Sequence, residues 1–259
     1  MTYVKICGNR TPDDVLAAAE AGADFVGMIF ANSSRHIDID DAQAMVRALG
    51  GPLSQQEIFA PPPSLVHGRE ELEPWFRHGA QVLTAYLGMK RPLTVGVFAD
   101  QPIEEVNELA EEAGVDLVQL SGDETWEDCL RVAKQVIQVR HVGPIDTPAD
   151  PLEDVRPGFA VALMLDSAHG QYRGGSGQVF DWDVATRVAA RLPIFLAGGL
   201  TPLNATEAVT RVRPWAVDVA GGTETDGRKD YAKVHAFVQA VRAVRAVRAV
   251  RAADAGGAR

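Results

Sequence analysis

Short apolar runs alternate with longer amphipathic stretches along most of the chain. Val4–Cys7 reads as a strand and Thr11–Ala21 as a helix opened by Thr-Pro-Asp-Asp. Thr11 can cap, Pro12 suits the first turn, and Asp13 and Asp14 favour the positive helix end. Asp24–Phe30 is the next strand and Asp40–Leu49 the next helix. The rhythm resumes with strands at Thr94–Ala99, Asp116–Leu120, Ile137–Val142, Ala160–Leu165, Ile194–Ala197 and Ala216–Val219. Helices are predicted between them at Ile103–Ala113, Trp126–Gln135, Trp182–Ala190 and Leu203–Val212, with a short helical piece at Pro151–Val155 and a last helix from Asp230 onward. Strands alternating with helices imply a parallel sheet with crossover connections. Eight such strands favour closure into a single (β/α)8 TIM barrel; a doubly wound open sheet, the alternative, typically uses fewer.

Two stretches break the rhythm. Gly50–Pro92 is too long for a connection between the second helix and the third strand. Within it, Arg69–Leu87 patterns as a helix around Leu72, Trp75, Phe76, Val82, Leu83 and Tyr86, weakened by Pro74 and Gly79. A helix-to-strand connection lies on the bottom face of a barrel, away from the chemistry. The insertion is therefore expected to serve packing or subunit contact rather than catalysis. The second break is Ala240–Ala252, where Ala-Val-Arg repeats. A three-residue period drifts around a 3.6-residue helix, so only its first turns can stay buried. The domain reading is a barrel over 1–240, with the insertion at about 50–92 and an exposed helical or disordered tail over 241–259.

Hydrophobic residues make up 46% of the 259, enough for one large core, and the formal net charge is −10. An acidic chain lacks the basic face that a nucleic-acid binder needs, but a few local donors can still hold a small anion. Cys7 and Cys129 are the two cysteines, without a CxxC pair or a Cys/His cluster, so a zinc site is not expected. Two distant cysteines in a chain this large suit reduced thiols. The first residues lack a signal peptide's apolar core, and no apolar run approaches a membrane span. A cytoplasmic enzyme is expected, with a small-molecule substrate and no nucleic-acid or membrane partner.

A parallel barrel carries its active residues at the C-terminal strand ends. Gly198-Gly199 and Gly221-Gly222 follow the last two strands, where barrels commonly bind phosphate through backbone N–H groups. Tight turns alone would also explain one such pair; two at adjacent ends favour phosphate. Gly174-Gly175-Ser176-Gly177 forms another glycine-rich stretch after the sixth strand. Cys7 ends the first strand and, as a thiolate, can act as nucleophile or base; a small buried hydrophobe is the plainer role. Lys5 shares its strand face and could lower its pKa. Cys129 lies among apolar residues and is assigned to packing. Asp166 ends the sixth strand and can protonate a leaving oxygen if its pKa is raised, or merely order the loop behind it. Arg35 offers a planar fork for a carboxylate or phosphate, or is a solvated surface residue.

These segments resemble the phosphoribosylanthranilate isomerases of tryptophan biosynthesis. The matching pieces are VKICG at 4–8, GADFVGMIF with SSR at 22–35, VGVFAD at 95–100 and VQLSGDE at 118–124. They continue with LDS and GGSGQVFDW at 165–182, LAGGL at 196–200, and VDVAGG with ETDGRKD at 217–230. The resemblance implies an Amadori rearrangement without metal or cofactor, by a monomer or homodimer that could associate with other enzymes of the pathway. It implies Cys7 as general base, Asp166 as general acid, Arg35 as the clamp on the substrate carboxylate, and the two Gly-Gly turns as the phosphate site. Gln119 and Asp218 are expected to bind substrate. The chain departs from the family pattern at Ser121, where QLHG is usual, at Ser167, where LDT is usual, and at Ala220-Gly221, where two serines are usual. The alternatives are the sister Amadori isomerase of histidine biosynthesis, a dual-substrate form, and a non-catalytic barrel that binds a phosphometabolite.

Overall fold

The computed structural model describes residues 2–53, 71–143, 152–167 and 182–256, with side chains as far as Val244. Its centre is a closed barrel of eight parallel strands in chain order. They are β1 (Tyr3–Ile6), β2 (Phe25–Ile29), β3 (Leu93–Phe98), β4 (Leu117–Leu120), β5 (Val136–Val142), β6 (Ala162–Ser167), β7 (Ile194–Leu196) and β8 (Ala216–Val219). Closure comes from β8 against β1, which sets Tyr3 opposite Ala216 and Lys5 opposite Asp218.

Side chains alternate across a strand, and this parity sorts the apolar residues into two cores. Tyr3, Phe25, Val95, Leu117, Ile137, Val139, Met164, Phe195 and Ala216 fill the barrel interior. Val4, Ile6, Val26, Met28, Val118, Val136, Leu163, Leu165, Leu196 and Val217 point outward, against the helices. Continuing the inward parity to the C-terminal ends puts Cys7, Gln119, His141, Asp166 and Asp218 on the inner face.

The outer layer holds α1 (Pro12–Ala21), α2 (Ile39–Ala48), α3 (Leu72–Met89), α4 (Ile103–Ala113), α5 (Trp126–Cys129), α6 (Trp182–Ala189), α7 (Ala205–Val212) and α8 (Tyr231–Gly256). The α1 start is as its sequence indicates. Thr11 and Asp14 form a capping box with Pro12 in the first turn, and Gly22 closes the helix at φ 92°. The helix expected over Trp126–Gln135 is cut to the short α5. Asn107 explains the stop: its amide bonds the Arg131 carbonyl and the Ala133 N–H, at 2.9 and 2.8 Å. The piece expected at Pro151–Val155 is a turn over Leu152–Asp154 rather than a helix, and Pro151 lies outside the described residues. In α8, Val241 and Val244 are buried, so the first tail residues pack on the barrel. No helix among the described residues is long and apolar enough to cross a membrane.

The insertion helix α3 lies across the N-terminal strand ends. Leu83 and Leu87 reach the inner core, and the Trp75 indole donates to the Ala160 carbonyl at 2.7 Å. Pro74 falls in the first turn, where proline is tolerated. Gly79 is demanded by contact: a Cβ there would sit 1.9 Å from the Val161 carbonyl oxygen. Gly79→Ala is therefore expected to destabilise the fold by about 1–3 kcal/mol through overpacking against backbone. Gly88, where an added Cβ meets nothing within 4 Å, is the control. Gly88→Ala should be neutral or stabilising by up to about 1 kcal/mol. Urea midpoints of the two variants check the contrast; equal midpoints would remove the close-contact account.

Candidate active site

The C-terminal mouth of the barrel gathers charged groups that the strand parity directs inward. Lys5 is fully buried, and its Nζ stands 2.8 Å from Asp218 Oδ1 on the neighbouring strand. Burial disfavours the ammonium, but the Asp218 carboxylate and the Cys7 thiolate outweigh it and hold the Lys5 pKa above its ordinary value. Cys7 follows two residues later on the same face. Gly27, on β2, makes room for both: a Cβ there would lie 2.5 Å from Cys7 Sγ and 3.0 Å from Lys5 Nζ. Burial pushes the Cys7 thiol up, and Lys5 counters part of that shift.

Asp166 ends β6 on the same inner ring. Its Oδ1 accepts the Ser167 N–H at 2.7 Å. Burial raises its pKa, His141 opposes the rise, and Asp218 reinforces it. Lys5 and Asp218 thus act electrostatically on both Cys7 and Asp166. Gln119 Nε2 donates to Ser121 Oγ at 2.9 Å, while its buried Oε1 has no partner among the described residues. Cys129 is buried away from this ring and donates to Gln138 Oε1, in keeping with packing.

Arg35 borders the same mouth, where a Cβ on Gly8 would lie 2.7 Å from its Cδ. Its fork is already engaged: Nε and Nη2 each sit 2.8 Å from a Glu224 carboxylate oxygen. Lys229 adds a third contact to Glu224 at 3.1 Å. Burial works to raise the Glu224 pKa, but Arg35 and Lys229 prevail and lower it. Glu224 and Lys229 come from a hairpin, β9 (Glu224–Thr225) and β10 (Arg228–Lys229). Its turn is Asp226-Gly227, both at positive φ, a dipeptide that signals such a hairpin in sequence.

The two Gly-Gly turns are neighbours. Gly198 and Gly199 adopt φ 85° and 65°, a conformation that glycine takes at no steric cost. Gly222 touches the first turn: a Cβ on it would lie 1.9 Å from the Leu200 carbonyl oxygen. Lys229 Nζ and Thr223 Oγ1 each donate to the Ala220 carbonyl at 3.0 Å, bracing the second turn. Gly174-Gly175-Ser176-Gly177 lie outside the described residues.

An acid, a thiol and a carboxylate-binding fork thus share one mouth with paired glycine turns. A family model described as N-(5′-phosphoribosyl)anthranilate (PRA) isomerase matches residues 71–240. The chain belongs to the N-(5′-phosphoribosyl)anthranilate isomerase family. The family's isomerase from Dehalococcoides mccartyi is 36% identical over 93% of this chain and 96% of its own. A crystal structure of phosphoribosyl anthranilate isomerase from Thermus thermophilus covers 94% of this chain and 100% of its own, at TM-score 0.68 and 28% identity. Another solved isomerase is in complex with reduced 1-(o-carboxyphenylamino)-1-deoxyribulose 5-phosphate. It covers 94% of this chain and 100% of its own, at TM-score 0.63 and 26% identity.

Among residues at this mouth that the sequence does not single out as site residues are His141, Glu224 and Lys229. His141 was findable: it continues the inward alternation Ile137, Val139 to the end of β5.

Proposed function

We infer that the chain converts N-(5′-phosphoribosyl)anthranilate to 1-(2-carboxyphenylamino)-1-deoxyribulose 5-phosphate, the Amadori step of tryptophan biosynthesis. In this reading Asp166 protonates the ribose ring oxygen and the ring opens to a Schiff base. The Cys7 thiolate takes the C2′ proton, leaving an enolamine that becomes the amino-ketose. The substrate's own nitrogen accepts the electrons, so no cofactor is called for.

One observation carries the reading: Cys7 and Asp166 occupy one inner ring, each within the influence of the Lys5–Asp218 pair. The buried acid holds its proton to higher pH than a free carboxyl, as a general acid requires. Lys5 favours the thiolate that a base requires. Phosphate binding at Gly198-Gly199 and Gly221-Gly222 is the matching assignment, with the Lys229 charge beneath the second turn. Among the described residues the Arg35 side chain gives only Nε and Nη2 to Glu224, which leaves Nη1 to meet the substrate carboxylate. Gln119 Oε1 and Asp218 line the space between acid and base as substrate contacts.

The test is turnover of N-(5′-phosphoribosyl)anthranilate by the purified protein beside its Cys7→Ser/Asp166→Asn double variant. Robust turnover confined to the wild type supports the assignment. A wild type no faster than the double variant removes it, and activity only on the histidine-pathway substrate redirects it to the sister isomerase.

A further inference from the structure

Arg35 does not stand alone at the mouth. Glu224 meets one edge of its guanidinium: Nε lies 2.8 Å from Oε1 and Nη2 lies 2.8 Å from Oε2. Two parallel contacts of this kind fix the plane of an arginine as well as its position. Glu224 is itself held. Lys229 Nζ lies 3.1 Å from the same Oε1, and the Lys229 and Glu224 side chains are only 1% and 6% exposed. Exposed ion pairs trade partners with water, whereas breaking a pair this deep is costly. The Glu224 backbone carbonyl accepts from Lys233 Nζ at 2.8 Å. Arg10 donates to the Ser34 and Gly227 carbonyls, which ties the loop of Arg35 to the hairpin of Glu224.

The pair sits beside the reacting thiol's own turn. Gly8 follows Cys7 at φ 74°, and a Cβ on it would lie 2.7 Å from Arg35 Cδ and 3.6 Å from Glu224 Oε1. On its other side the same network reaches the second glycine turn. Lys229 has three N–H donors. They face Glu224 Oε1, the Ala220 carbonyl at 3.0 Å and Thr223 Oγ1 at 3.4 Å.

We propose that Glu224 is a positioning residue for the substrate's carboxylate. It holds one edge of the Arg35 guanidinium so that the remaining edge meets the anthranilate group, and Lys229 fixes this clamp relative to the phosphate turn. The substrate carries an anion at each end, and the hairpin thereby sets the spacing between the two sites that receive them. Without the Glu224 charge, Arg35 and Lys229 are two cations around one neutral side chain. They repel, and the fork loses its aim. The substrate carboxylate keeps its charge throughout the rearrangement, so its contact with Arg35 is equal in ground state and transition state. Loss of such a contact raises KM and spares kcat.

The proposal rests on the isomerase reading, and the experiment separates the two. The kcat and KM for N-(5′-phosphoribosyl)anthranilate are measured for wild type, Glu224→Gln, Arg35→Met and the double variant. Gln keeps the volume and loses the charge. The expected result in Glu224→Gln is a KM higher by roughly ten- to a hundredfold, the size of a charged hydrogen bond. Its kcat stays within about threefold of wild type. The double variant matches Arg35→Met, because Glu224 acts through Arg35. If Glu224→Gln does not fold, Glu224→Asp takes its place, keeping the charge but falling one methylene short of the fork. An inactive wild type removes the isomerase reading and this proposal with it. With an active wild type, an unchanged or lowered KM makes Glu224 a spectator or a competitor of the substrate and overturns the positioning role alone. A kcat that falls as far as KM rises, or a double variant much weaker than Arg35→Met, overturns it as well.

Discussion

Asp166→Asn is expected to lower kcat on N-(5′-phosphoribosyl)anthranilate by roughly 10²- to 10⁴-fold with the fold intact. Asn is nearly isosteric and its Oδ1 can still accept the Ser167 N–H, so the 2.7 Å contact survives. What disappears is the proton for the ring oxygen. The pH profile tests the same point from another side. Burial raises both Asp166 and Cys7, and the reaction needs the acid protonated and the thiol ionised. Because a thiol ordinarily titrates above a carboxyl, that arrangement is the minority tautomer of the singly protonated pair. Its population stays constant between the two titrations. The wild type should thus show a flat top, with an acid limb above the usual carboxylate range and an alkaline limb above the usual thiol range. In Asp166→Asn the residual rate should instead climb with pH until Cys7 is ionised, with no alkaline fall. A loss under about fivefold, or a bell retained in the variant, would take Asp166 out of the acid's role.

The strands were legible because strand parity is local: hydrophobic runs at fixed spacing mark all eight, and the same parity places Cys7 and Asp166 at the mouth. The Lys5–Cys7 neighbourhood followed from their two-residue spacing. The Lys5–Asp218 pair did not, because it exists only once β8 closes on β1, 213 residues away in the chain. Arg35 was expected to be a clamp open to a carboxylate. Its engagement by Glu224, 189 residues on, is again a product of closure. Asp226-Gly227 is a hairpin signal that the pattern of strands and helices passes over, because the two-residue strands it joins are too short to register as apolar runs. Gly79 shows the opposite failure. It reads as a helix weakness in sequence, whereas tertiary contact with Val161 requires it.

Lys5→Met is expected to act on stability and on chemistry at once. It strips the counter-charge from Asp218, whose side chain is 10% exposed. Leaving one partner of a buried pair unpaired costs about 3–5 kcal/mol, and the residual exposure of Asp218 argues for the lower end. The pH sign is definite. The folded-state pKa of Lys5 is raised, so its stabilisation is fully present below the ordinary lysine value and is lost only as pH rises through the folded one. Denaturation at neutral pH therefore reads the whole effect. The chemical effect runs through Cys7, for which Lys5 is the largest influence favouring the thiolate. Without it the thiol titrates still higher, the active tautomer becomes rarer, and the plateau of kcat/KM falls. Lys5→Met/Asp218→Asn separates the two effects by removing the stranded carboxylate. Stability should largely return, while the Cys7 ionisation stays above that of the wild type. Ultraviolet thiolate absorbance in a Cys129→Ser background reads that ionisation directly; Cys129, pushed up to about 12 by burial, would otherwise overlap at high pH. If Cys7 titrates in the double variant as in the wild type, Lys5 supports only the fold, and the base must draw its thiolate from elsewhere in the mouth.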